Sequence, residues 1–190
     1  MNVKTLEVGF TNIVNIGRCA TIIECDKSGA YITIDEIVEK CQSSHKVIMC
    51  GDEPLLQKEE LAKICKKLVK LNPRINIEIF TNALIKPIEI SGYISNTTFN
   101  VLMYPKGDKR YKVDIVMLAW FAEIGANFIF EVNSIEDIDN VIVIMNSVGI
   151  KKAQCFITPL KTIKTLYRHV KFYGINLAPS IEWGNDDDFE

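Results

Sequence analysis

The residues best placed to do chemistry are Gly51-Asp52-Glu53-Pro54, inside the stretch KVIMCGDEPLLQ from Lys46 to Gln57. The apolar run Val47-Ile48-Met49-Cys50 stops abruptly at Gly51, two carboxylates follow, and a helix is expected to open near Leu55. This is the pattern of a strand breaking into a βα turn, with a carboxylate at the strand's carboxyl end, where ligands of α/β folds bind. An ordinary turn with proline at the helix start, and acidic residues on the positive end of its dipole, accounts for the same spacing. Thr81-Asn82 and Lys106 stand at two further expected strand ends. The first pair reads either as a polar-ligand contact or as a turn former. Lys106 reads as a partner for a carboxylate or phosphate, or as a solvated loop lysine. Glu131 ends another apolar run and would be costly if buried alone, so it is expected to face the ligand end or find a partner.

The other chemically versatile side chains form no motif. Cys19, Cys25, Cys41, Cys50, Cys65 and Cys155 contain no C-x-x-C and no His at zinc spacing. Buried free thiols in a reducing compartment are their expected state. His45 and His169 lack a paired nucleophile or carboxylate and are expected at the surface, while Trp120 reads as core. No Ser/His/Asp set, P-loop, H-E-x-x-H or EF-hand loop is visible.

The elements that must position these residues repeat as βα. Residues 3–16 read as a weak strand or hairpin. Strands are expected at Ala20–Glu24, 46–50, Ile75–Phe80, Phe99–Met103, Asn127–Val132 and Ala153–Ile157, with a short strand at 175–178. Helices are expected from Thr33, a cap paired with Glu36, to about Cys41, and over 57–71, 113–124, 135–147 and 160–172. A looser helical segment covers 84–95. Ser134 should cap the 135–147 helix, with Ile135, Ile138, Val141, Ile142 and Met145 inward. About six βα units with short connections require parallel strands joined by helical crossovers. Periodicity alone leaves a doubly wound sheet and an open, partial barrel both standing. The absence of G-x-G-x-x-G after the first strand disfavours a dinucleotide-binding version.

The chain has 190 residues, 48% of them hydrophobic, and a net charge of −2. That fits one domain with a substantial core, over 1–183, and an acidic tail over 184–190. The balance gives no reason to expect nucleic-acid or membrane binding, and no apolar run reaches membrane-spanning length. With no signal-peptide pattern at the N-terminus, a soluble cytoplasmic protein is the expectation.

The residues also carry a resemblance. CGDEPLLQKEEL resembles the GGEP segment of the radical S-adenosylmethionine superfamily, in which that backbone receives the methionyl amino group. Asp52 stands where the family has its second glycine. The nearest likeness is to 7-carboxy-7-deazaguanine synthases and anaerobic ribonucleotide reductase activating proteins. Gly9-Phe10-Thr11 with Gly17-Arg18-Cys19-Ala20-Thr21-Ile22-Ile23 resembles their entry to the first strand. Thr33 to Val38 is similar to the helix before GGEP, Ile79-Phe80-Thr81-Asn82 to a "TNG" end with Ala83 for glycine, and Tyr104-Pro105-Lys106 to "SPK". Phe128 to Val132, Phe156-Ile157-Thr158-Pro159 and NLAPSIEW also have counterparts.

The resemblance implies a partial (β/α)6 barrel of radical-SAM type. It also implies a possible S-adenosylmethionine contact at Gly51, Asp52, Glu53, Pro54, Thr81, Asn82 and Lys106. It breaks at the C-x3-C-x2-C that holds the family's 4Fe–4S cluster. Only Cys25 lies in the loop after the first strand, so the cluster and any metal are not expected. Three readings stay open. One is a cluster-less radical-SAM-like protein acting as a binding or scaffolding partner, with a protein partner or a second copy, or with a small molecule at the barrel mouth. Another is an active S-adenosylmethionine-dependent enzyme with a divergent site. The last is an unrelated α/β enzyme or small-ligand-binding protein.

Overall fold

The computed structural model of the chain describes residues 1–10, 19–160 and 164–178. Residues 11–18 of the expected hairpin and first-strand entry, the 179–183 end of NLAPSIEW and the acidic 184–190 tail lie outside the described residues. One sheet of nine strands organises the chain: β1 (Asn2–Phe10), β2 (Cys19–Cys25), β3 (Ala30–Tyr31), β4 (Lys46–Gly51), β5 (Asn76–Thr81), β6 (Thr97–Met103), β7 (Asn127–Val132), β8 (Cys155–Pro159) and β9 (Asn176–Leu177). Helices α1 (Ile34–Cys41), α2 (Lys58–Leu71), α3 (Ile115–Glu123), α4 (Ile135–Val148) and α5 (Lys164–Tyr173) fill the connections, with 3-10 turns at Pro54–Gln57, Ile88–Asn96 and Lys152–Gln154.

The order across the sheet is β3-β1-β2-β4-β5-β6-β7-β8-β9. From β2 to β9 every neighbouring pair is parallel and in chain order. A doubly wound sheet reverses its order at a switch point, and this one does not. Crossovers of one hand then keep the helices on one side, as in a (β/α) barrel. The sheet does not close, because two-residue strands, β3 and β9, stand at its edges.

Burial follows this geometry. Side chains alternate along each strand. Ile23, Val47, Met49, Ile77, Ile79, Val101 and Phe128 point into the main core, where Leu61, Ile64, Leu68, Phe121 and Ile138 of the helices meet them. The other face carries a smaller cluster of Ala20, Ile48, Cys50, Phe80, Ile129 and Ala178. Local signals act as the sequence implies. Thr33 and Glu36 exchange capping bonds at α1, and Ser134 with Asp137 does the same at α4.

Several expectations shift. The 84–95 segment becomes the 3-10 turn at Ile88–Asn96, after Pro87 removes a backbone donor. Ile135, expected inward, is 37% exposed, and Val148 takes an inward place on α4. Trp120 is only half-buried, edge-on to Phe121, with the Lys86 ammonium 5.0 Å above its ring. Cys19, expected buried, is exposed at the start of β2. No helix among the described residues is long and apolar enough to cross a membrane.

Candidate functional site at the carboxyl ends of the strands

Gly51 closes β4 with φ 107, and a Cβ there would lie 2.0 Å from the carbonyl oxygen of Cys25 on β2. Only glycine permits that approach, which the Asp52 N–H uses to donate to the same carbonyl at 3.1 Å. Gly51→Ala is therefore expected to cost about 3 kcal/mol of stability, read as a shift in the urea midpoint.

The turn then buries Glu53, which is 7% exposed, and seats Pro54 at the first position of the 3-10 turn. The Glu53 carboxylate accepts from the Leu55 N–H at 3.0 Å, from the Thr81 hydroxyl at 2.9 and 3.1 Å, and from the Asn82 N–H at 2.8 Å. The Thr81 oxygen also accepts from the Ala83 N–H, and the Asn82 side-chain oxygen from the Leu84 N–H. Ala83 holds the left-handed φ of 57 that the turn requires. Of the residues singled out from the sequence, Glu53, Thr81 and Asn82 thus meet as one brace tying the ends of β4 and β5. Its oxygens are engaged within the protein. Burial raises the Glu53 carboxyl above its ordinary value, against the lowering effect of the three donors. Gly51, Asp52 and Lys106 are exposed at the rim, apart from that brace.

A second group gathers at β6 and β7. Arg110, from the polar loop after β6, places its guanidinium carbon 3.8 Å from the Tyr104 ring centroid. Its Nη2 donates to Glu131 at 3.3 Å, and its Nε and Nη2 donate to Asp108 at 3.1 and 3.0 Å. Glu131 is thus both at the mouth and partnered, as the cost of burying it alone requires. Burial raises its carboxyl, and Arg110 works against the rise. A cleft of about 20 Å³, room for roughly one water, lies beside it between Tyr104, Lys106, Tyr111 and Asn140. Sequence reading missed Arg110, whose only signal was a cation in a polar loop following an aromatic strand end.

A buried polar row went unremarked as well. Lys46 and Glu78, 6% and 2% exposed, form an ion pair at 2.6 Å. Asn100 reaches Glu78 at 3.4 Å, and Asn127 donates to Asn100 at 2.9 Å. The signal was the charge of Glu78 between Ile77 and Ile79 in the middle of NIEIFT.

The cysteines do not fit a 4Fe–4S cluster. Cys19 and Cys25 occupy opposite ends of β2, six residue steps or about 20 Å apart. Cys25 points to the helix-side core and Cys50 to the other face. The turn after β2 carries no thiol: Asp26 accepts from Ser28, and the chain leaves as β3 to pair with the outer edge of β1. Burial pushes the Cys50 thiol up to about 12, and Cys25 is raised further, by burial first and Cys50 second. Cluster ligands are thiolates. Among the described residues no three His, Cys, Asp or Glu are grouped to hold a metal ion. In the native protein a maleimide reagent is expected to label Cys19 rapidly, and the other five cysteines only after unfolding. Mass spectrometry of labelled peptides checks this.

No protein-family model matches the chain, and no curated protein matches it. Solved structures do. SuiB of Streptococcus suis bound to S-adenosylmethionine aligns with TM-score 0.56 and 13% identity, over 82% of this chain and 45% of SuiB. SuiB bound to its precursor peptide SuiA aligns with TM-score 0.58 and 14% identity, over 94% of this chain and 46% of SuiB. The chain thus spans about half the length of these neighbours. At such identity the likeness speaks of the fold alone. Together with the chain-ordered parallel sheet, it establishes a radical-SAM-like α/β fold.

Proposed function

We propose that this chain is a cluster-less radical-SAM-like protein, related in fold to the 7-carboxy-7-deazaguanine synthases, that uses the mouth of its open barrel to bind a partner. The observation that carries the reading is the dispersal of Cys19, Cys25 and Cys50, with a thiol-free turn where the family binds iron. A peptide is the favoured class of partner, supported by the fold neighbour seen with a bound precursor peptide. Gly51, Asp52 and Lys106 are the rim residues proposed to contact S-adenosylmethionine, while Glu53, Pro54, Thr81 and Asn82 shape the turn beneath them. The support is a fold neighbour carrying that cofactor. Asp52 is the residue that departs from the family there.

The test is iron and sulfide per chain after anaerobic reconstitution, with the visible spectrum read with and without S-adenosylmethionine. The expected result is no bound iron and no charge-transfer band. Near-stoichiometric four-iron content with a cofactor-sensitive spectrum would overturn the reading in favour of an active, divergent enzyme.

A further inference from the structure

Tyr104 and Glu131 form a wall fixed on the sheet. Met103 of β6 pairs with Phe130 of β7, so the next residues, Tyr104 and Glu131, stand side by side at the carboxyl ends of two adjacent strands. Tyr104 is half-buried, and the Glu131 side chain is 13% exposed. The cation against this wall comes from elsewhere. Arg110 belongs to a loop without helix or strand, and its side chain is 55% exposed.

We propose that Tyr104 and Glu131 form a binding site for a planar guanidinium or amidinium group of a ligand, and that Arg110 occupies it in the free protein as an internal stand-in. The wall offers a ring face for stacking and a carboxylate for an N–H donor, the two features a planar cation satisfies at once. An ammonium would meet the carboxylate without matching the ring. Exchange is cheap because a half-exposed loop arginine gains little from its pairs. It also leaves neither group stranded. Asp108 already accepts from Nε and from the same Nη2 that reaches Glu131, and can keep the guanidinium when it swings out. Glu131 is too enclosed to stand alone and receives the ligand cation in exchange. Its raised protonation tendency agrees with a carboxylate short of solvent.

The proposal rests on the mouth being the binding face. Iron content does not bear on it, so the two readings fail separately. The test is calorimetric titration of the full chain with N-acetylarginine methylamide, ethylguanidinium and N-acetyllysine methylamide. The proteins compared are wild type, Arg110→Ala, and Arg110→Ala combined with Glu131→Gln or Tyr104→Leu, each checked for an intact melting transition. Removal of the stand-in is expected to tighten arginine-probe binding about two- to fivefold, with the lysine probe at least fivefold weaker. Either second substitution should abolish the gain. Binding of the capped arginine alone would identify a peptide as the source of the cation. Equal binding of ethylguanidinium would identify a small guanidino compound. An Arg110→Ala protein that binds no tighter than wild type, or that takes the lysine probe equally well, overturns the proposal.

Discussion

Glu53→Ala is expected to lower folding stability by about 4 kcal/mol, although Glu53 stands at the end of the sheet where ligands bind. The side chain is enclosed, and its carboxylate receives the Leu55 and Asn82 N–H groups and the Thr81 hydroxyl. Truncation would orphan three donors at once and uncouple β4 from β5. Glu53→Gln keeps one acceptor oxygen and should cost about half as much. Thr81→Val removes one donor and should cost about 1–2 kcal/mol. Urea denaturation of the four proteins reads the series. A loss below about 1 kcal/mol for Glu53→Ala would mean that the brace carries no load and the carboxylate is free for a ligand.

The same group has a pH signature. Burial raises the Glu53 carboxyl in the folded chain. Between the unfolded-state and folded-state values the native protein keeps a proton that the unfolded chain has released. Stability is therefore greatest below the unfolded value, falls as pH rises through that window, and levels off above the folded value. Glu131, raised in the same direction, adds to the slope. Glu53→Gln should remove one share of it and leave the other.

What could be read in advance was what local chemistry dictates. The capping pairs at Thr33 and Ser134, the turn at Gly51 and the order of the βα units need only neighbours in sequence. The end of β5 was legible as a site, but its role was not. Whether Glu53 faces a ligand or Thr81 depends on contacts across 28 residues of chain, which no spacing rule encodes. Ile135 shows the same limit on a smaller scale: it fits the helical period of α4, yet as the first residue of that helix it is 37% exposed. Glu78 escaped notice inside an apolar run, and Lys46 because it opens one, directly after the polar Ser43-Ser44-His45. A strand buried on both faces hides which face a lone charge uses.

That pair supplies a second large effect. Lys46 and Glu78 are enclosed on the inner face, and the Lys46 ammonium makes ion-pair contact without the direction of a hydrogen bond. Lys46→Met would leave the Glu78 carboxylate buried with only the long contact from Asn100. Glu78→Leu would leave the ammonium with nothing. Each single change is expected to cost about 3–4 kcal/mol, because an uncompensated buried charge is far more costly than a missing pair. The double variant Lys46→Met/Glu78→Leu replaces both charges by apolar groups of similar length, beside Ala20 and Ile48 on a face that is already apolar. It should fall within about 1 kcal/mol of wild type. The double-mutant cycle would then give a coupling of at least about 5 kcal/mol, measured by urea denaturation of the four proteins. Additive losses would show that each residue is held by something other than its partner. If the double variant matches wild-type stability, the pair is not what holds the sheet together. Its remaining physical use is to fix the register of β4 against β5, because a one-residue slip of β4 would turn Lys46 to the opposite face, toward the apolar core under the helices, and leave Glu78 unpaired.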